Sequence, residues 1–181
     1  VDSHLGLPVV NHGIDRLKKL ELVPFANAIR HNADAVMVAH ILLPKLDPDY
    51  PSSMSKEVIT NLLRNELNFD GVIFTDDMTM GAIVERYDIS EAAVRAVIAG
   101  SDIVLVCHDY EKETAVIEGL KQAVREGKLS EKRIDQSVYR IIQLKEKYKL
   151  SDVKISPTID IAKLNGEVEA VLDRYLNNGP R

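Results

Sequence analysis

Apolar and polar positions divide the 181-residue chain into a strand-then-helix pattern that recurs. Three short runs are apolar at nearly every position until they end in polar groups: ADAVMVAH over residues 33–40, GVIFTDDM over 71–78 and DIVLVCHD over 102–109. Runs of this kind, rich in β-branched residues, suit strands covered on both faces, as in parallel sheets. Between them the apolar period is helical. Leu17, Leu20, Phe25, Ala28 and Ile29 mark a stretch from 14 to 32 that Pro24 kinks or restarts. Ser55 opens a helix with Val58, Ile59, Leu62, Leu63 and Leu67 on one face, and Asp70-Gly71 turns the chain into the second strand. A short helical stretch over 78–86 leads to Asp88, which with Glu91 resembles a capping box for a helix that carries Val94, Val97 and Ile98 and stops at Gly100. Helices follow over 110–126, closed by Gly127, and over 130–148, opened by Ser130. A last amphipathic stretch aligns Ile161, Leu164, Val168, Val171 and Tyr175.

The strands begin near residues 35, 71 and 102, a spacing of thirty-odd residues. A TIM barrel divides into eight units of roughly 31 residues each, so the repeat predicts an α/β, TIM-like (β/α)8 barrel. This chain would supply roughly the last three βα units plus C-terminal helices. Three strands cannot close a barrel, so its upstream half is expected outside these residues. A small doubly wound sheet is the competing architecture, but no Gly-rich phosphate loop follows any strand. Residues 1–150 are expected to form the C-terminal part of the barrel, and 151–181 a linker and C-terminal helix of the same domain.

A formal charge of −5 and a pI near 5.6 argue against a nucleic-acid or acidic-membrane surface as the main partner, since either needs a concentrated basic face. The single cysteine, Cys107, excludes an intramolecular disulfide and argues against a metal-thiolate cluster. No segment approaches the ~20 apolar residues of a membrane span.

Candidate chemistry gathers where the strands end: His40 on the first, Asp76 and Asp77 on the second, His108 and Asp109 on the third. Parallel strands bring such residues to one mouth. Asp76 is the first candidate for a catalytic group, although an Asp here can equally cap the next helical turn. Histidines and carboxylates at one mouth could hold a divalent metal, but the closely spaced His pair that would make this specific is missing. The other reading is metal-free chemistry on Asp76. A proton-transfer partner is offered by Asp2-Ser3-His4: in an extended segment residues i and i+2 project to one side, so Asp2 can accept from one imidazole nitrogen while the other faces a substrate. That pairing fixes the tautomer and raises the imidazole pKa, which suits general acid/base work. By itself, a D-x-H in a polar loop is ordinary.

Several stretches together carry a resemblance: DSHxxxP at Asp2 to Pro8, ELVPF at Glu21 to Phe25, ADAVMVAH, LLRNELNFDGVIFTDDMTMGAI over 62–83 and AGSDIVLV over 99–106. From residue 2 to about 149 the chain is similar to the bacterial β-N-acetylglucosaminidases of glycoside hydrolase family 3, of the NagZ type. The resemblance implies a TIM-like barrel with Asp76 as nucleophile and His4, on a mobile loop and held by Asp2, as general acid/base. It implies a retaining exo-enzyme that removes terminal β-linked GlcNAc from cell-wall-derived saccharides, muropeptide or chitooligosaccharide, through a covalent glycosyl-enzyme, with no metal and no organic cofactor. His40 and Met78 are candidate sugar contacts. The family's KHFPGHG-like stretch, and the substrate-binding Asp and Arg of its first strands, are not among these residues. A β-N-acetylglucosaminide phosphorylase is the near alternative; a metal-dependent barrel hydrolase and a non-catalytic carbohydrate-binding fragment are more distant ones. A cytoplasmic location is favoured over an extracellular or cell-wall one.

Overall fold

The structure is a computed structural model that describes residues 2–152 and 160–177. The chain forms two compact units, Val1–Lys149 and Leu150–Arg181. In the first, β1 (Ala35–Val38), β2 (Val72–Asp77) and β3 (Ile103–Leu105) make a parallel sheet in the order β1-β2-β3. The expected strands are all present, and the outer two are shorter than their apolar runs. β2 is the longest because it is paired on both sides.

Paired residues in a parallel sheet project to the same face, so the register fixes which side chains meet the helices. Val36 faces Ile73 and Val38 faces Thr75 across the β1–β2 ladder. Val38 and Ile73 pack with Ile59, Leu63, Phe69 and Ala99 in one core cluster, with Val36, Val58 and Leu67 against it. The apolar face read from the sequence is therefore the one buried. Its helix, Glu57–Glu66, is wound as a π-helix with i→i+5 bonding, seen where Leu67 N–H donates to the Leu62 carbonyl at 2.9 Å. The Ser55 hydroxyl accepts from Val58 N–H at its start.

Helices α1 (Ile14–Lys19) and α2 (Val23–Arg30) replace the single stretch 14–32, and Pro24 lies in the first turn of α2, so the proline restarts the helix. The short α3 spans Gly81–Val84. Helix α4 (Ile89–Ala99) is capped by Asp88, whose Oδ1 accepts from the N–H groups of Ser90 and Glu91. Its buried face differs from the expected one. Ala92, Ala93, Ala96, Val97 and Ala99 are buried, while Val94 is half-buried and Ile98 is 42% exposed. Ala92 and Ala96 pack with Met54, Met78 and Ile83, and Ala99 with Ile59, whereas α5 (Tyr110–Arg125) meets α4 on the side of Ser90, Val94 and Val97, where a Cβ on Gly119 would stand 2.7 Å from Ser90 Cβ. Gly100 ends α4 at φ +126°, where a Cβ would also meet Ile59 and Thr60 at 2.9 Å. Helix α6 (Glu131–Lys147) starts at Ser130, whose hydroxyl accepts from Arg133 N–H.

Just before β3, Asp102 organises the base of the sheet. Its carboxylate is fully buried and meets Arg64 at 2.5 Å, Arg140 at 3.3 Å and Arg133 at 3.5 Å. It also accepts from the Ser137 hydroxyl at 2.9 Å and Ile73 N–H at 3.0 Å. Burial pushes the Arg64 and Arg133 guanidinium groups below their usual value despite this anion.

In the second unit α7 (Ile161–Leu172) begins at Asp160, whose Oδ1 accepts from Lys163 N–H, and runs into a π-turn over Asp173–Asn177. Ile161, Leu164, Val168, Val171 and Tyr175 are all exposed. The expected linker falls largely on 153–159, outside the described residues. Among the described residues no helix is long and apolar enough to cross a membrane.

Candidate active site

The C-terminal end of β2 is irregular where the chemistry is expected. Phe74 pairs with Ile103 but Asp77 pairs with Leu105, three steps along β2 against two along β3. The extra residue is accommodated because the buried Thr75 hydroxyl accepts Leu105 N–H at 3.1 Å, after which Met78 N–H donates to the Leu105 carbonyl at 2.9 Å. Such bulges raise the local twist and re-aim side chains next to functional sites. Half-buried Asp76 sits in this bulge. Its Oδ1 accepts Asp77 N–H at 2.9 Å, and Oδ2 has no partner among the described residues.

Asp77 is engaged quite differently. Its Oδ1 accepts from the N–H groups of Thr79 (3.0 Å) and Cys107 (3.1 Å), and Oδ2 from the Thr79 hydroxyl (2.6 Å). Partial burial works to raise its pKa, but the Thr79 and Cys107 hydrogen bonds and the nearby His108 outweigh it, and the carboxyl sits below its ordinary value. Asp77 thus ties the end of β2 to the loop after β3. Asp109 is a helix cap: at φ +77°, its Oδ1 accepts from Glu111 and Lys112 N–H at the start of α5. His108 lies exposed between these two carboxylates in sequence.

His40 and Met78, candidate sugar contacts in the sequence, both have 0% exposure. Neither offers a ligand any surface. His40 Nε2 lies 3.0 Å from the Asp77 carbonyl and Nδ1 lies 2.6 Å from Ser53 Oγ. A carbonyl only accepts, so Nε2 carries the proton and Nδ1 accepts from the Ser53 hydroxyl. Burial pushes this imidazole below its ordinary pKa, against the raising effect of the Asp77 carbonyl bond and the Asp76 and Asp77 charges, which keeps the neutral tautomer. Met78 packs with Met54, Ile83, Ala92 and Ala96.

Asp2 and His4 do meet, with Nδ1 and Oδ1 2.8 Å apart, but not through an extended strand. Leu5 and Gly6 N–H donate to the Asp2 carbonyl, and Asp2 Oδ1 also accepts His4 N–H at 3.0 Å. The segment is a tight turn. One carboxylate oxygen therefore fixes both the backbone and the ring, and Nε2 of His4 is the nitrogen left for other work. The hydrogen bond to Asp2 raises the His4 pKa first, then the Asp2 charge, and the charges of Asp76 and Asp77 add to it. Asp2 is lowered by the His4 N–H and then by its ring. Both side chains are exposed.

The loop bearing this pair is anchored at two places on the mouth. Gly81 and Ala82 N–H donate to the carbonyls of His4 (3.2 Å) and Ser3 (3.1 Å), and Val9 bridges to Leu42 beyond β1. Sequence reasoning missed Ser53, Thr75, Thr79 and Gly81, whose roles depend on which neighbour each reaches. A cavity of about 620 Å³ lined by Asp34, Asp70, Arg140 and Lys147 lies at the opposite, N-terminal ends of the strands, remote from Asp76. Among the described residues no three His, Cys, Asp or Glu side chains are grouped as metal ligands.

A three-stranded parallel α/β sheet with acidic groups at a bulged strand end and an Asp-His loop above it is the arrangement against which known proteins can be compared. Residues 1–144 match the model of the glycosyl hydrolase family 3 N terminal domain, and the chain belongs to this family. It is 38% identical over 150 residues to the β-hexosaminidase LpqI of Mycobacterium tuberculosis, covering 80% of this chain and 38% of that protein. It is similar in structure to a glycoside hydrolase family 3 β-N-acetylglucosaminidase from Paenibacillus sp. str. FPU-7, with a TM-score of 0.83 and 42% identity over 96% of this chain and 34% of that one. A β-glucoside phosphorylase bound to 2FGlc matches with a TM-score of 0.78 and 26% identity, over 87% of this chain and 30% of that one. The chain spans 29%, 42% and 35% of the length of three of the curated β-hexosaminidases it matches.

Proposed function

We propose that the protein containing this chain is a retaining exo-β-N-acetylglucosaminidase acting on GlcNAc-terminated saccharides derived from the cell wall, with Asp76 as nucleophile, His4 as acid/base and Asp2 as its orienting partner. The carrying observation is the 2.8 Å Asp2–His4 pair in a loop bonded to the residues that follow Asp76. An Asp76 oxygen attacks the anomeric carbon while the glycosidic C–O bond breaks, and the leaving oxygen takes the proton from His4 Nε2. Water then attacks the same carbon, gives its proton to His4 Nε2, and releases the Asp76 carboxylate. Asp77 serves structure, because all the donors it accepts from belong to the flanking loops. His40 and Met78 act from beneath, His40 through the Asp77 carbonyl.

Residues 1–150 are the last three βα units of a (β/α)8 barrel in this reading. Met37 is 45% exposed on β1, and its register partner Phe74 is half-buried on the same face, the one a closed barrel fills. The remaining strands come from chain outside these residues.

The test uses the full-length protein and a slow-turnover 5-fluoro N-acetylglucosaminide. The label is expected on the peptide at Asp76, and NMR of the first-formed product is expected to show the β-anomer. Label on Asp77, or activity retained in Asp76→Ala, sinks the assignment. Accumulation of GlcNAc 1-phosphate when phosphate is added would make the enzyme a phosphorylase on the same machinery.

A further inference from the structure

The loop that carries His4 approaches the chain beyond β2 more closely than any side chain would allow. A Cβ built on Gly81 would stand 2.6 Å from the His4 carbonyl oxygen, 3.1 Å from the Leu5 carbonyl carbon and 3.3 Å from that of His4. All three neighbours are backbone, so no rotamer change relieves the contact. The loop itself must move. Gly81 is not required by its own conformation, because positive φ among the described glycines is confined to Gly100 and Gly127. It is the first residue of α3, preceded by extended Met80 at φ −66°, ψ 148°, where an alanine would favour the helix. The missing side chain thus serves the approach of the loop and not the helix that contains it.

The position of the imidazole depends on that approach. The described polar contacts of the His4 ring are to Asp2, inside the same turn, so ring and turn move together. The turn is held on the mouth by the bonds from Gly81 and Ala82 at one end and by the Val9–Leu42 bridge at the other. We propose that Gly81 is a positioning residue for proton transfer: by giving the Ser3–His4 backbone a seat without a side chain, it sets how far the His4 ring reaches over Asp76. This rests on the acid/base assignment of His4.

The test compares Gly81→Ala and Gly81→Pro with His4→Ala in the full-length protein. Alanine keeps the N–H and adds the obstructing carbon. Proline removes the N–H as well, yet suits a first helical position after an extended residue. For each variant kcat/KM is measured with an activated aryl N-acetylglucosaminide, which needs little protonation, and with a GlcNAc disaccharide, which needs it badly. Gly81→Ala is expected to lose on the order of 10- to 100-fold more on the disaccharide than on the aryl substrate, since misplacement by about 1 Å carries such a cost. Gly81→Pro is expected to show the same split, enlarged, and the melting temperature of Gly81→Ala should be equal to or above that of the parent. Equal losses on both substrates with a lowered melting temperature would make Gly81 merely structural, and unchanged kinetics in both variants would leave the loop independent of it. Either result overturns the proposal while His4→Ala keeps its leaving-group dependence. If His4→Ala lacks that dependence, the acid/base assignment falls and the seat falls with it.

Discussion

Replacing Asp102 with Asn keeps the shape of the side chain and removes its charge, which isolates what the anion does at the base of the sheet. The carboxylate is 0% exposed, and its three guanidinium partners Arg64, Arg133 and Arg140 are only 11%, 16% and 23% exposed. Breaking a buried ion pair by removing one partner costs about 3–5 kcal/mol, because the surviving charge stays desolvated. Two further donors, the Ser137 hydroxyl and Ile73 N–H, lose a charged acceptor at about 1 kcal/mol each. Two effects work the other way: the Asn carbonyl still accepts from some of the five donors, and the arginines retain some access to water. The net expectation is a loss of about 4 kcal/mol. Denaturant unfolding of the full-length protein reads this directly. Arg64, the nearest partner at 2.5 Å, supplies the control, since Asp102→Asn and Arg64→Met act on one interaction and their costs should fall well short of additive. A loss below about 1 kcal/mol for Asp102→Asn, or strict additivity with Arg64→Met, refutes the reasoning.

Asp2→Asn removes the main cause of the raised His4 pKa. Glycosylation needs protonated His4, so kcat/KM on a disaccharide falls as pH rises through that pKa; the basic limb of the profile is expected to move to lower pH in the variant, and an unmoved limb counts against the pairing. Ser53→Ala deprives buried His40 Nδ1 of its donor, with an expected cost of about 1–3 kcal/mol in denaturant unfolding. NMR of the His40 ring should still show the neutral Nε2–H form, because the Asp77 carbonyl remains to accept it.

What the chain discloses in advance and what it withholds divide along a physical line. Features set by one segment are readable: the apolar runs that become β1, β2 and β3, the face of Ile59, Leu62 and Leu63, the caps at Asp88 and Ser130, and the restart at Pro24. Features set by the distance to another segment are not. The alanine face of α4 is buried because Ala92 and Ala96 meet Met54, Met78 and Ile83, side chains supplied by other segments. Asp76 and Asp109 look alike as acids beyond apolar runs, and only the geometry separates a bulge from an N-cap. The Asp2–His4 contact was legible from spacing, but the turn that makes it depends on the Asp2 carbonyl accepting from Leu5 and Gly6. Burial of His40 and Met78, and the gathering of three arginines on Asp102, arise from packing between separate elements of the first unit and leave no local mark.

The peptide between Asp76 and Met78 is joined to every βα unit of the sheet: His40 after β1 holds the Asp77 carbonyl, and Cys107 after β3 is held by the Asp77 carboxylate. Recombination between relatives meets that arrangement as a rule about breakpoints. A crossover between residues 41 and 52 would draw His40 from one parent and Ser53 from the other, and one between 80 and 106 would part Asp77 from the loop it anchors. A crossover past Asp109 and before Arg133 keeps these partners together but parts buried Asp102 from Arg133, Ser137 and Arg140 of α6. Chimeras should therefore survive most often when the stretch from His40 through α6 comes from one parent.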